Sequence, residues 1–134
     1  MTTKPSTEPK WLTVDMVLAI HDEQLALFGG GEGIRDAGLL ESGVLRAVNR
    51  FHYDSASTLF ELAAATGIGI IKNQPFIDGN KRTGLISMHV FLALNGWNFD
   101  AGQIDEVQVI LALAAGKLEE EDLARWIEEN CREA

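Results

Sequence analysis

Apolar positions recur along most of this chain with a spacing of three or four residues, the period of a helix that buries one face. Val14, Val17, Leu18, His21, Leu25 and Phe28 follow that spacing behind Thr13, whose hydroxyl is placed to cap a helix start, and Gly29-Gly30-Gly31 ends the pattern. After the loop Glu32 to Gly38, a second helical stretch runs from Leu39 to about Val48. Ser57 to Ile71 is almost continuously apolar, with small residues at Ala63, Ala64, Ala65, Gly67 and Gly69 that would let neighbouring helices approach, so it is read as the central helix. A matching helix begins near Asn80 and stops at the helix-terminating pair Asn95-Gly96. Asp105 to Ala115 and Glu119 to Cys131 complete the set, the latter with acidic residues in its first turn, where the helix dipole favours them. No convincing period-two pattern marks a sheet, although Gly31 to Ala37 could extend as a short flap. The expected fold class is all-α, a helical bundle.

Met1 to Lys10 carries two prolines and no apolar periodicity and is read as a flexible tail, leaving 11–134 as one domain. A length of 134 residues with 46% hydrophobic content suits one core. No apolar run is long enough to span a bilayer and the N-terminus lacks the apolar segment of a signal peptide, so the expected location is the cytoplasm, with no membrane contact. The formal net charge of −9 argues against direct nucleic-acid binding, which needs a basic face to displace counterions. The acidic run Glu119-Glu120-Glu121-Asp122 reads as a solvated helix start. Cys131 is the single cysteine, so no internal disulfide forms, and no Cys/His cluster has zinc spacing.

Candidate chemistry gathers in Asn73-Gln74-Pro75-Phe76-Ile77-Asp78-Gly79-Asn80-Lys81-Arg82-Thr83-Gly84, between two apolar helices. Gly79 and Asn80 fall at a helix start, where free backbone N–H groups and the positive dipole end favour an anion. Lys81 and Arg82 are cations at the wrong end of a helix dipole unless something anionic binds there, and a phosphate would resolve the conflict. Asp78 beside such a site is a natural ligand for the Mg²⁺ that accompanies a nucleotide phosphate; its simpler role is to cap the helix that follows. Phe76 reads as an apolar anchor for the loop.

These residues resemble the signature of the Fic/Doc family in its death-on-curing branch, H-x-F-x-D-G-N-K-R, which lies on Gln74 to Arg82 without a gap. The resemblance extends to Gly33-Ile34-Arg35-Asp36-Ala37-Gly38-Leu39-Leu40-Glu41-Ser42, similar to the family's flap segment, to Leu59-Phe60-Glu61-Leu62-Ala63, and to Leu94-Asn95-Gly96-Trp97, and so covers roughly Trp11 to Ile127. It implies a Fic-like helical fold with an N-terminal flap and a site that binds ATP and Mg²⁺, with Asp78 as metal ligand, Gly79, Asn80, Lys81 and Arg82 on phosphate, and Lys81 and Arg82 stabilising the transferring group. It also implies a toxin of a toxin–antitoxin pair, similar to a kinase that phosphorylates elongation factor Tu, held in check by a separate antitoxin protein. The AMP-transferring branch, with G-N-G-R-x-x-R, fits less well, since Lys81 follows Asn80 and Leu85 stands where the second arginine would fall.

One position departs from the family pattern. Gln74 occupies the place of the catalytic histidine, and a carboxamide has no basic site near working pH. The alternative is therefore a non-catalytic module that keeps the nucleotide or antitoxin surface. Among the remaining histidines, His21 reads as a satisfied core residue, His52 in Phe51-His52-Tyr53 as packing, and His89 as packing or solvent-facing.

Overall fold

The computed structural model describes residues 8–134, so most of the expected N-terminal tail, residues 1–7, lies outside the described residues. Glu8 to Lys10 already lie against the body. Pro9 is buried, and the Lys10 main chain exchanges two hydrogen bonds with the Asn95 carboxamide, at 2.9 and 3.0 Å.

The elements in chain order are α1 (Val14–Phe28), α2 (Ala37–Tyr53), α3 (Leu59–Asn73), α4 (Asn80–Leu94), β1 (Trp97–Phe99), α5 (Gln103–Ala114), α6 (Glu120–Glu129) and β2 (Cys131–Glu133). The all-α expectation holds. Thr13 caps α1 by accepting from the Met16 amide at 3.1 Å, and Asp36 caps α2 through the Leu39 amide. At the start of α3 Thr58 and Glu61 form a reciprocal capping box that fixes the helix two residues later than the apolar pattern suggests.

α3 is central, as its composition requires. Every residue from Leu62 to Ile71 is buried, and α2, α4 and α6 pack around it. Small residues set these distances: a Cβ at Gly43 would strike the Gly69 carbonyl, one at Gly69 the Gly43 carbonyl, and one at Gly84 the Ile71 side chain. Leu40, Leu62, Ile70, Phe76, Met88, Phe91, Leu92, Leu113, Leu123 and Ile127 fill the core at 2% exposure or less.

The C-terminal segment departs from expectation. α6 ends at Glu129, and Cys131–Glu133 pairs antiparallel with Trp97–Phe99 in a two-stranded ladder, Asn98 opposite Arg132. Strands of three residues carry too little alternation to register as a pattern. Nor is the acidic start of α6 simply solvated: Glu120 bridges to Arg46 at 2.6 Å and Arg50 at 3.0 Å, tying α6 to α2. His52 is exposed rather than packed. No helix among the described residues is long and apolar enough to cross a membrane.

Candidate functional site

The loop between α3 and α4 turns the chain from the end of one buried helix to the start of another. Gln74 terminates α3 in the left-handed conformation, φ 48° and ψ 57°, and is the one non-glycine residue with positive φ among the described residues. Gly79, at φ 80°, opens α4 in the same region, where only glycine is unstrained. Between them Phe76 is 1% exposed and holds the loop to the core, as expected of an anchor.

Asn80 braces the loop internally. Its Oδ1 accepts from the Phe76 amide and its Nδ2 donates to the Phe76 carbonyl, both at 2.9 Å. The side chain is thereby committed to the loop, so Asn80 faces an anion through its main-chain amide. The first intrahelical bond of α4 runs from the Thr83 amide to the Gly79 carbonyl at 2.9 Å, which leaves the Asn80, Lys81 and Arg82 amides with no carbonyl a turn below them.

Asp78 does not cap α4, which has no side-chain cap. Its Oδ1 accepts from the neighbouring Gly79 amide at 2.8 Å, and its Oδ2 from Gly31 in the flap at 3.3 Å. These two amides, with lesser help from Arg82 and Lys81, outweigh desolvation and hold the carboxyl below its ordinary pKa of 3.8, ionised throughout the neutral range. Arg82 is turned toward the end of α1, with its guanidinium 5.1 Å from the centroid of the Phe28 ring and one Nη donating to the Gly29 carbonyl at 3.4 Å. Its Nε is buried without a partner. Lys81 is exposed and lines the same cleft.

Gln74, Asp78, Gly79, Asn80, Lys81 and Arg82 line one cleft of about 220 Å³, together with Ile71, Ile77 and Ala114. All six residues singled out from the sequence thus come together. None of the three histidines lines the cleft. His89 bonds Glu106 at 3.0 Å beside Phe99, and His21 is buried behind the loop, where its Nε2 donates to the Asp78 carbonyl at 2.8 Å.

A phosphate suits this donor set: open helix-start amides, two cations and an orphaned Arg82 Nε. A metal finds less. No cluster of three acidic, histidine or cysteine ligands occurs among the described residues, so Asp78 suits a Mg²⁺ that takes its remaining ligands from phosphate and water.

The flap closes over the loop. Ile34 forms an antiparallel bridge with Phe76, Gly33 accepts from the Ile77 amide, and the Pro75 carbonyl accepts from the Arg35 and Asp36 amides. The Arg35 side chain adds two bonds, Nε to the Gln74 carbonyl at 2.7 Å and Nη2 to the Asn73 carbonyl at 2.8 Å. Neither this clamp nor the support from His21 follows from helical spacing, since both partners are backbone atoms some forty to sixty residues away.

The Fic/DOC family model matches residues 11–92, more than half of the chain and all of the loop. The chain belongs to the Fic/DOC family. It is 31% identical over 99 residues to "Protein kinase doc" of Escherichia phage P1, covering 73% of this chain and 79% of that protein. It is also 37% identical over 70 residues to "Toxin Doc" of Mycolicibacterium smegmatis (strain ATCC 700084 / mc(2)155), covering 52% of this chain and 54% of that one. The flap, α3, the loop and α4 as far as Leu92 fall inside the family match.

Proposed function

We infer that this Fic/DOC protein is the toxin of a toxin–antitoxin pair, built as a cytoplasmic phosphotransferase that uses ATP and Mg²⁺ against elongation factor Tu and is weakened or silenced by Gln74. Its partner is a separate antitoxin protein. The names of the two relatives support the toxin and kinase parts of this reading. The observation that carries it is the convergence of the Asn80, Lys81 and Arg82 amides, both cations and the ionised Asp78 carboxylate on one cleft.

Bound there, ATP would supply the phosphoryl group and Mg²⁺ would offset its charge. The chain's own part would be to hold that group: the α4 amides and Lys81 at its oxygens, Arg82 as a second cation once its guanidinium leaves the Phe28 ring, and Asp78 at the metal. Transfer breaks the terminal P–O bond of the nucleotide and forms one to the target hydroxyl, whose proton must leave. Gln74 can hydrogen-bond that hydroxyl but cannot take the proton. Loss of a general base costs about 10²- to 10⁴-fold in rate, enough to make a toxin tolerable.

Gln74→His supplies an imidazole with a pKa near neutrality and should restore labelled-phosphate transfer to a translation factor in lysate, with arrested growth on induction. The present sequence should be tolerated. Normal growth and no labelling with well-folded Gln74→His protein would instead favour the non-catalytic binding module, a reading that the absence of any histidine along the cleft already supports.

A further inference from the structure

Gln74 sits in a conformation that its own chemistry and its neighbour both resist. A left-handed L-residue costs about 1–2 kcal/mol, and the ring of Pro75 pushes its predecessor toward extended backbone. Positions of this kind persist only where the surroundings over-determine them, and they gather at functional sites.

The Gln74 amide is bonded to the Ile70 carbonyl and the Pro75 carbonyl to the Arg35 and Asp36 amides, but one side chain alone grips both peptide planes of residue 74. Arg35 reaches from the flap to the C-terminal end of α3 and donates to the Gln74 and Asn73 carbonyls, two of the acceptors that a helix end leaves without partners. A cation is also favoured at that negative dipole end. The forked guanidinium fixes the direction of two successive carbonyls, and with them the peptide planes that set φ and ψ of residue 74. No side chain within the loop does this, because Asn80 braces Phe76 and Asp78 bonds Gly79 and Gly31.

We propose that Arg35 is the positioning residue of this site: it locks residue 74 in the left-handed conformation and so directs the residue-74 side chain into the cleft lined by Asp78 and Arg82. Arg35 touches neither phosphate nor acceptor. Its backbone amide is bonded to Pro75, so the flap and the slot for residue 74 move as one body. A polypeptide that displaces the flap would therefore disassemble that slot while leaving the α4 amides intact.

The kinetic consequence rests on the phosphotransfer reading, whereas the conformational one does not, so both are measured. In isotopically labelled protein, the backbone carbon shifts and amide–α-proton coupling of residue 74 report its φ directly. They should show the left-handed state with Arg35, an extended state in Arg35→Gln, and a mixture in Arg35→Lys, which keeps the charge and loses the fork. In the Gln74→His background, Arg35→Gln should lower kcat by about 10- to 100-fold, the cost of misplacing a reacting group by about 1 Å, with the nucleotide KM unchanged and partial recovery in Arg35→Lys. Retention of positive φ in a folded Arg35→Gln protein would overturn the proposal, as would a changed φ with kcat intact. If φ changes as expected but Gln74→His transfers no phosphate, the positioning role stands and the phosphotransfer reading falls.

Discussion

The His21 imidazole lies flat on the Phe76 ring, centroids 3.7 Å apart and planes 7° from parallel, while its Nε2 donates to the Asp78 carbonyl at 2.8 Å. One side chain of α1 thus holds the loop at its anchor and at its carboxylate-bearing residue. His21→Ala removes a buried hydrogen bond and a stacked ring, and is expected to destabilise the protein by about 3 kcal/mol. His21→Phe, which keeps a ring and loses the donor, should recover part of the stability and none of the loop order. Urea unfolding together with amide exchange at Gly79 separates the two effects; equal protection in His21→Phe and wild type would show that the hydrogen bond does no ordering.

Asp78 makes closure of the flap over the loop sensitive to acid. Its folded pKa lies below the ordinary 3.8, so its contribution is present above that value and is lost as pH falls through the folded one. The Tm difference between wild type and Asp78→Asn should be constant from neutral pH to about pH 5 and close at lower pH. A difference that persisted unchanged into the acid range would mean that the carboxylate bonds to Gly31 and Gly79 are not its source.

Binding requires no general base, so the present sequence should bind a nucleotide with Mg²⁺ although the carboxamide of Gln74 cannot take a proton. Calorimetry should find affinity lost in Asp78→Ala combined with Arg82→Ala. Reaching a phosphate would take the Arg82 guanidinium off the Phe28 ring, so Arg82→Ala alone should already weaken the affinity. Unaltered affinity in that variant would place nucleotide binding elsewhere.

The parts of the fold legible in the sequence were those written in local chemistry. Thr13, the glycine run at 29–31, Asn95-Gly96 and the small residues of α3 each mark a boundary or a contact through a property of that residue alone, and the structure uses them so. The loop residues that line the cleft were legible because they all fall in the one short stretch from Gln74 to Arg82. What escaped depends on distant backbone: Arg35 on the end of α3, His21 on the Asp78 carbonyl, and Cys131–Glu133 on Trp97–Phe99. Asn80 shows the converse. Its helix-start position was evident, but both ends of its carboxamide are taken by Phe76, a commitment visible only once the turn has closed.

Cys131 should be a poor nucleophile. Burial, followed by the neighbouring Glu128 charge, pushes its thiol up to about 11. Since the thiolate is the reactive form, alkylation at neutral pH should be far slower than for an unperturbed cysteine and become rapid only on unfolding. Fast labelling of the native protein by a maleimide would indicate that the β1–β2 ladder opens readily.

Gly43 and Gly69 meet where α2 crosses α3, each presenting its carbonyl where a Cβ on the other would have to sit. The obstacle is backbone on both sides, so no rotamer change can relieve it, unlike a Cβ at Gly67, which would meet the end of the Met88 side chain. Gly69→Ala must therefore push α2 away from the central helix, and α2 follows directly on the flap that carries Arg35. The expected loss is about 3 kcal/mol, the upper end of ordinary overpacking, with Gly67→Ala costing less. Denaturant unfolding ranks the two variants, and in the Gln74→His background the rank of residual phosphotransfer should follow it, because separating α2 from α3 draws Arg35 off the Gln74 carbonyl.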